Sequence, residues 1–167
     1  PYREALEKVV PFCRELKKHY PTFRHLDIGG GLGIPYSPEQ KPFAMEEYAK
    51  IVIEAVDGLG LKILLEPGRF LTGNGGILVT QVQSLKSNPF KKFVVIDAAI
   101  NDLIRPAFYE AYHHVLPVRE TRDTQFGDLV GPICESGDFL AQERDLPAVD
   151  PGEYLAVLGA GAYGFSM

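Results

Sequence analysis

The sequence predicts an α/β portion followed by a β-rich portion, and three observations carry that expectation. Apolar residues recur at three- and four-residue steps over residues 1–20 and again from Met45 to Leu59, the spacing of amphipathic helices. Each of these stretches leads into a short strand-like run, over 24–28 and 62–66, that passes into a glycine-containing loop. After Gly73-Asn74-Gly75-Gly76 the texture changes to brief alternating or continuously apolar runs, the style of a sheet built from short strands.

Taken in order, the first helix rests on Leu6, Val9, Val10, Cys13, Leu16 and Tyr20, with charged residues between them. Pro11 stands in the middle of that pattern, where a missing N–H and a ring clash predict a kink or a restart. Cys13 lies on the apolar stripe and reads as core. Pro21 ends the segment. Strand 24–28 follows and runs into Leu26-Asp27-Ile28-Gly29-Gly30-Gly31-Leu32-Gly33-Ile34. Bare backbone there can take positive φ and bring its N–H groups close to a ligand, and such nests of N–H groups suit a phosphate. The dinucleotide fingerprint is not met, because Ile34 replaces its last glycine and Pro35 and Pro38 deny an immediate helix. A tight turn after a strand is the competing explanation.

The second helix, carried by Met45, Tyr48, Ile51, Val52, Ala55 and Leu59, closes near Gly58-Leu59-Gly60. Lys62–Glu66 is then a strand, continuously apolar at Ile63-Leu64-Leu65 as buried parallel strands are. Both strands end in loops that carry polar groups, and in parallel α/β folds that C-terminal edge is where sites are built. In the later portion, 77–85, 93–96, 126–133 and 153–158 read as strands, and 100–112 as a helical turn broken at Pro106. The boundary between the two portions falls near residue 76. Two βα units can neither close a barrel nor cover both faces of a sheet, so the first portion reads as the tail of something larger.

Composition narrows the function. The chain has 167 residues, 46% of them apolar, and a net charge of −5, which leaves no basic footprint for nucleic acid. No apolar run reaches membrane-spanning length, and the start of the chain lacks a signal-peptide pattern. Cys13 and Cys134 are too few for a disulfide framework, which fits a reducing, cytoplasmic compartment. His19, His25, His113 and His114 show no metal-ligand spacing with carboxylates, so no metal is expected. His113-His114 reads as a solvated strand edge or turn.

Five short motifs occur in one order: the glycine loop, Glu66-Pro67-Gly68-Arg69, Ile104-Arg105-Pro106, Cys134-Glu135-Ser136-Gly137-Asp138 and Gly161-Ala162-Tyr163. Together they closely resemble the C-terminal part of the diaminopimelate decarboxylase family, pyridoxal-phosphate enzymes of the alanine-racemase-like fold. The resemblance covers essentially the whole chain. It implies a (β/α)8 barrel followed by a β-rich domain, with residues 1–76 as the last two βα units and 77–167 as most of the β domain. It also implies a homodimer whose active site is shared between subunits. The lysine that holds the cofactor in this family belongs to an early barrel strand, and none of the lysines here stands in that context. Family members continue past the tyrosine motif, whereas this sequence stops at Met167. The sequence therefore reads as a fragment.

The resemblance also implies roles. Gly29, Gly30, Gly31 and Gly68 would hold the cofactor phosphate, Tyr163 would hydrogen-bond the phosphate or the substrate, and Glu66 would pair with the cofactor's pyridine nitrogen. Arg69 would contact the substrate carboxylate near that phosphate. Arg105 and Tyr109, four apart and so on one helical face, would clamp the distal carboxylate. Cys134, delivered from the other subunit, would protonate the α-carbon, and Glu135 would meet the distal amino group. Ornithine-type relatives carry an aspartate at the position of Glu135, so the glutamate favours diaminopimelate. The residues alone leave other readings open: a Glu66–Arg69 salt bridge, a surface arginine at 105, core tyrosines at 109 and 163, and a buried inert thiol at 134. Two other function classes also remain, a non-catalytic regulatory homologue and a plain β-rich interaction domain.

Overall fold

The computed structural model describes residues 1–167. Grouped by packing, the chain forms two units, residues 1–32 with 42–67 and residues 33–41 with 68–167.

In the first unit, helix α1 (Tyr2–His19) buries Leu6, Val10 and Cys13, the three- and four-residue spacing expected of it. Pro11 lies inside α1 without ending it. An exposed proline removes a single helix hydrogen bond, and the apolar stripe on the opposite face holds the helix through it. Lys17, Lys18 and His19 occupy the last turn, where positive charge suits the helix dipole. Strand β1 (His25–Asp27) and strand β2 (Lys62–Leu64) pair in parallel, with Leu26 opposite Ile63. Helix α2 (Met45–Val56) connects them and buries Tyr48 and Val52.

The strands are shorter than the sequence predicts, and Leu64 and Leu65 are each 46% exposed rather than buried. A two-stranded sheet gives each strand one neighbour, and it is Ile28 and Ile63 that pack into the cluster of Leu6, Leu32, Tyr48 and Val52. Beyond the ladder, Ile28 N–H donates to Leu64 O (3.1 Å) and Glu66 N–H to Gly29 O (2.8 Å). These two bonds hold the glycine loop beside Glu66.

The second unit opens with helix α3 (Gly68–Thr72) and a 3-10 turn over Gly73–Gly75. The sheet then begins at Leu78, close to where the sequence texture changes. Its strands are β3 (Leu78–Ser87), β4 (Lys92–Ile96), β5 (Val115–Pro117), β6 (Thr124–Val130), β7 (Phe139–Pro147) and β8 (Tyr154–Val157). Their order is β5-β8-β3-β4-β6-β7, antiparallel except where β4 runs parallel to β6. The edge strands approach one another, and Arg144 on β7 donates to the carbonyl of His113 just before β5 (2.6 Å). The sheet thus curls into a nearly closed barrel. Ile96, Leu129, Leu155 and Val157 line its core at 0% exposure, each such side chain contributing roughly 1.5–3 kcal/mol by leaving water.

Helix α4 (Arg105–Tyr109) sits between β4 and β5 with Pro106 at its first turn. The proline begins this helix rather than breaking it, because its fixed φ suits a first turn whose N–H groups need no helical partner. Strands β5 and β7 and helix α3 are not evident in the sequence. In β7 the run Gln142-Glu143-Arg144-Asp145 hides the alternation, and Glu143 takes a positive φ of 47° at a register shift against β6.

Candidate functional site

In the first unit the end of β1 turns through Gly29 (φ 72°) and Gly31 (φ 83°), conformations that a side chain would strain. Asp27 builds that turn by accepting the Gly29 N–H at 2.8 Å. One of the three amides expected to face a ligand is therefore already used, and Asp27 has a structural task. The N–H groups of Gly30 and Gly31 make no hydrogen bond within the chain. Glu66, at the end of the segment after β2, is exposed and forms no ion pair. A structural salt bridge does not account for it.

In the second unit Arg69, on α3, lays its guanidinium over the ring of Tyr163, 5.2 Å from the centroid. Tyr163 is 48% exposed and held at φ 55°. A bulky residue in the left-handed region costs about 1–2 kcal/mol, and the turn that imposes it is anchored by Ala160 N–H to Gly76 O (2.9 Å) and Gly161 N–H to Gly73 O (3.0 Å). Tyr163 is no core tyrosine.

Arg105 and Tyr109 share α4, as their spacing predicts, but their side chains are treated differently. Tyr109 is 56% exposed with its ring edge-on to Phe108. Arg105 is 7% exposed. Its guanidinium stacks over Tyr36 (4.7 Å to the centroid), and one of its nitrogens lies 2.9 Å from His113 Nε2. It belongs to none of the ion pairs of the chain. A buried cation without an anion is expensive unless a ligand or a partner supplies the charge.

His113 corrects the expectation of a solvated histidine: it is 0% exposed. Burial, with Arg105 and Arg144 nearby, holds its pKa below the ordinary 6.5, although the Leu158 carbonyl pulls the other way. Its Nδ1 lies 2.8 Å from Leu158 O, which can only accept, so Nδ1 carries the proton and Nε2 is left to accept from Arg105.

Cys134 and Glu135 stand exposed on the loop between β6 and β7. A core thiol is thereby excluded at 134, whereas Cys13 is buried and its pKa is raised by that burial. The loop backbone is pinned by Asp138, which is 4% exposed. Its carboxylate accepts from Ile133 N–H (2.7 Å) and from Ile100 N–H (2.8 Å), tying the residue before Cys134 to the segment that leads into α4. Gly131 packs so tightly against that carboxylate that a Cβ there would collide with it. Glu135 accepts from Gly137 N–H (3.1 Å), which steadies its carboxylate without hiding it.

Sequence reasoning thus missed Tyr36, His113 and Asp138. Asp138 lies inside a motif that was legible. Nothing local marks Tyr36 or His113: Tyr36 meets Arg105 and His113 from far along the chain, and the ring of His113 is fixed by the distant Leu158 carbonyl.

Residues 23–161 match the family described as pyridoxal-dependent decarboxylase, C-terminal sheet domain. The chain is 53% identical to the diaminopimelate decarboxylase of Aquifex aeolicus over its whole length, which is 40% of that protein. It is 48% identical to the diaminopimelate decarboxylase of Pseudomonas aeruginosa, again over all of this chain and 40% of the relative. Among solved structures it superposes on diaminopimelate decarboxylase from Helicobacter pylori complexed with L-lysine with a TM-score of 0.92 and 37% identity, covering all of this chain and 41% of that one. The chain spans about 40% of the length of these curated relatives.

Proposed function

The chain belongs to the pyridoxal-dependent decarboxylases, and from that premise we propose that the full-length protein decarboxylates meso-2,6-diaminopimelate to L-lysine, the last step of lysine biosynthesis. Residues 1–76 then form the last two βα units of a (β/α)8 barrel and 77–167 the β domain that follows it. Neighbouring barrel strands and helices would cover Leu64 and Leu65. The active form is a cytoplasmic homodimer with a shared site.

The single observation that carries the substrate class is Arg105: a buried guanidinium, preorganised and lacking any anion, suits a carboxylate. Exposed Glu135 suits an amino group. A carboxylate and an ammonium on one distal carbon describe a diamino diacid better than ornithine. The substrate has one D and one L centre and the product is L-lysine, so CO2 leaves the D centre. The L centre is the distal one that Arg105, Tyr109 and Glu135 hold.

The residues present fit pyridoxal phosphate. The free Gly30 and Gly31 amides suit a phosphate, a task that the family's pattern also gives to Gly29, Gly68 and Tyr163, and the unpaired Glu66 carboxylate suits a protonated pyridine nitrogen. When bound, the cofactor supplies the electron sink for the pair left by the departing CO2. Glu66 keeps the ring nitrogen protonated. Arg69, steadied by Tyr163, orients the substrate carboxylate near the phosphate. Cys134 of one subunit donates the proton that replaces CO2 on the α-carbon in the other.

The test is CO2 release by the full-length enzyme from meso-diaminopimelate, L-ornithine, L-arginine and L-lysine. Turnover of diaminopimelate above the others is expected. Preference for ornithine or arginine would move the protein to the related basic amino-acid decarboxylases, and cofactor binding without any turnover would make it a non-catalytic homologue.

A further inference from the structure

We propose that His113, with Tyr36 on the other side, is a positioning residue that aims Arg105 at the distal carboxylate of the substrate, and so sets selection for that carboxylate without touching it. The inference rests on the reading of Arg105 as the carboxylate clamp.

Arginine has five donors and long, entropically free torsions, so a lone buried arginine is loosely aimed. Here two contacts remove that freedom. The Tyr36 ring covers one face of the guanidinium, and His113 Nε2 takes one of its N–H groups at 2.9 Å. Tyr36 and His113 also meet edge to face, 5.3 Å between ring centroids.

His113 can do this in one state only. As imidazolium it would donate from both nitrogens and confront Arg105 with a second positive charge. The neutral tautomer with the proton on Nδ1 is selected by the Leu158 carbonyl at 2.8 Å, and Leu158 is itself tied back by its N–H to His114 O (2.8 Å). The β5–β8 pairing thus fixes the ring, the ring fixes the guanidinium, and the remaining donors of Arg105 stay free for an anion. Arg144 bonds the backbone carbonyl of His113 and not its ring, leaving Nε2 to Arg105.

The experiment uses the full-length holoenzyme and the variants His113→Phe, His113→Gln, Tyr36→Leu and Arg105→Ala. It measures kcat and KM for meso-diaminopimelate, and binding of L-lysine, which keeps the distal carboxylate, and of cadaverine, which lacks it. His113→Phe is expected to raise KM and weaken L-lysine about tenfold, the loss of one charge-assisted hydrogen bond, with cadaverine binding and kcat within about twofold of wild type on the same basis. His113→Gln, which keeps a donor and an acceptor, should recover most of the loss. Wild-type KM in His113→Phe, or equal weakening of L-lysine and cadaverine, overturns the proposal. Should His113→Phe not fold, Tyr36→Leu must show the same selective loss, and wild-type binding by it also overturns the proposal. Arg105→Ala separates the two readings: if it leaves L-lysine binding unchanged, the clamp itself is wrong, whereas if it weakens binding and His113→Phe does not, only the role of His113 fails.

Discussion

Arg105 and Cys134 belong to the same sheet unit and are held in opposite ways. Around Arg105 the side chain is fixed, stacked on Tyr36 and bonded to His113, and it is almost wholly removed from water. Around Cys134 the backbone is fixed, through the Asp138 carboxylate, and the side chain is left in the open. The difference fits the tasks proposed for them. A group that binds a charge gains from being aimed in advance and dried. In the proposed role Cys134 gives a proton to substrate held by the other subunit, and a fixed loop with an accessible thiol suits that role.

The strongest way to break this contrast is to remove the thiol. Cys134→Ala in the full-length enzyme is expected to lower kcat by ~10²–10⁴-fold, the usual contribution of a general acid, with KM little changed. Thermal stability should stay at the wild-type value, since an exposed side chain is lost. A matching fall in the unfolding temperature would make Cys134 a packing residue. Mixing this variant with one inactivated in the barrel should restore part of the activity through hybrid dimers. No recovery, with subunit exchange verified, would place the thiol and its substrate in one chain.

Next in size is the loop's anchor. Asp138→Ala strips two backbone N–H groups of their acceptor and leaves the adjoining space empty. Urea unfolding should register a loss of about 1–3 kcal/mol, and kcat should fall with it because Cys134 and Glu135 lose their setting. Wild-type stability would show that the loop holds itself.

Glu135→Asp probes the exposed side more gently. Shortening the side chain by one methylene withdraws the carboxylate from the distal amino group while keeping its charge. Discrimination between diaminopimelate and ornithine, measured as the ratio of kcat/KM, should fall about tenfold, the low end of what one methylene decides. An unchanged ratio would leave the choice of substrate to Arg105 and Tyr109.

The same contrast explains what the sequence could and could not announce. Leu6, Val10 and Cys13 on α1, and Val94 and Ile96 on β4, are legible because local periodicity reports burial against one nearby face. The open setting of Cys134 and Glu135 is legible because a polar turn follows an apolar strand. The His113 environment is not. It is assembled from Tyr36, Arg105, Arg144 and Leu158, residues scattered over most of the chain, and a histidine pair looks solvated until β5 and β8 are paired. Leu64 and Leu65 mislead for the converse reason: their apolar run predicts burial, but β2 ends at Leu64 and has only β1 beside it.

The smallest expected effect tests whether the buried side of the contrast is also electrically dry. The groups facing His113 are the Arg105 guanidinium from α4, the Arg144 side chain from β7, the Tyr36 ring and the Leu158 carbonyl at the end of β8. No carboxylate is among them. Desolvation first, and then the two guanidinium groups, depress the folded pKa below the ordinary 6.5 against the opposing pull of the carbonyl. With the folded value below the unfolded one, the unfolded chain binds the extra proton as acid is added. Stability is therefore complete above about pH 6.5 and is lost as pH falls through that value toward the folded pKa, by at most about 1.4 kcal/mol per pH unit for one proton. Urea midpoints of the full-length protein at pH 7.5 and 5.5 should differ more for wild type than for His113→Gln, which has no ring to protonate. Equal shifts in the two would mean that water or an acidic group reaches the imidazole, and the buried clamp would then be wetter than its packing implies.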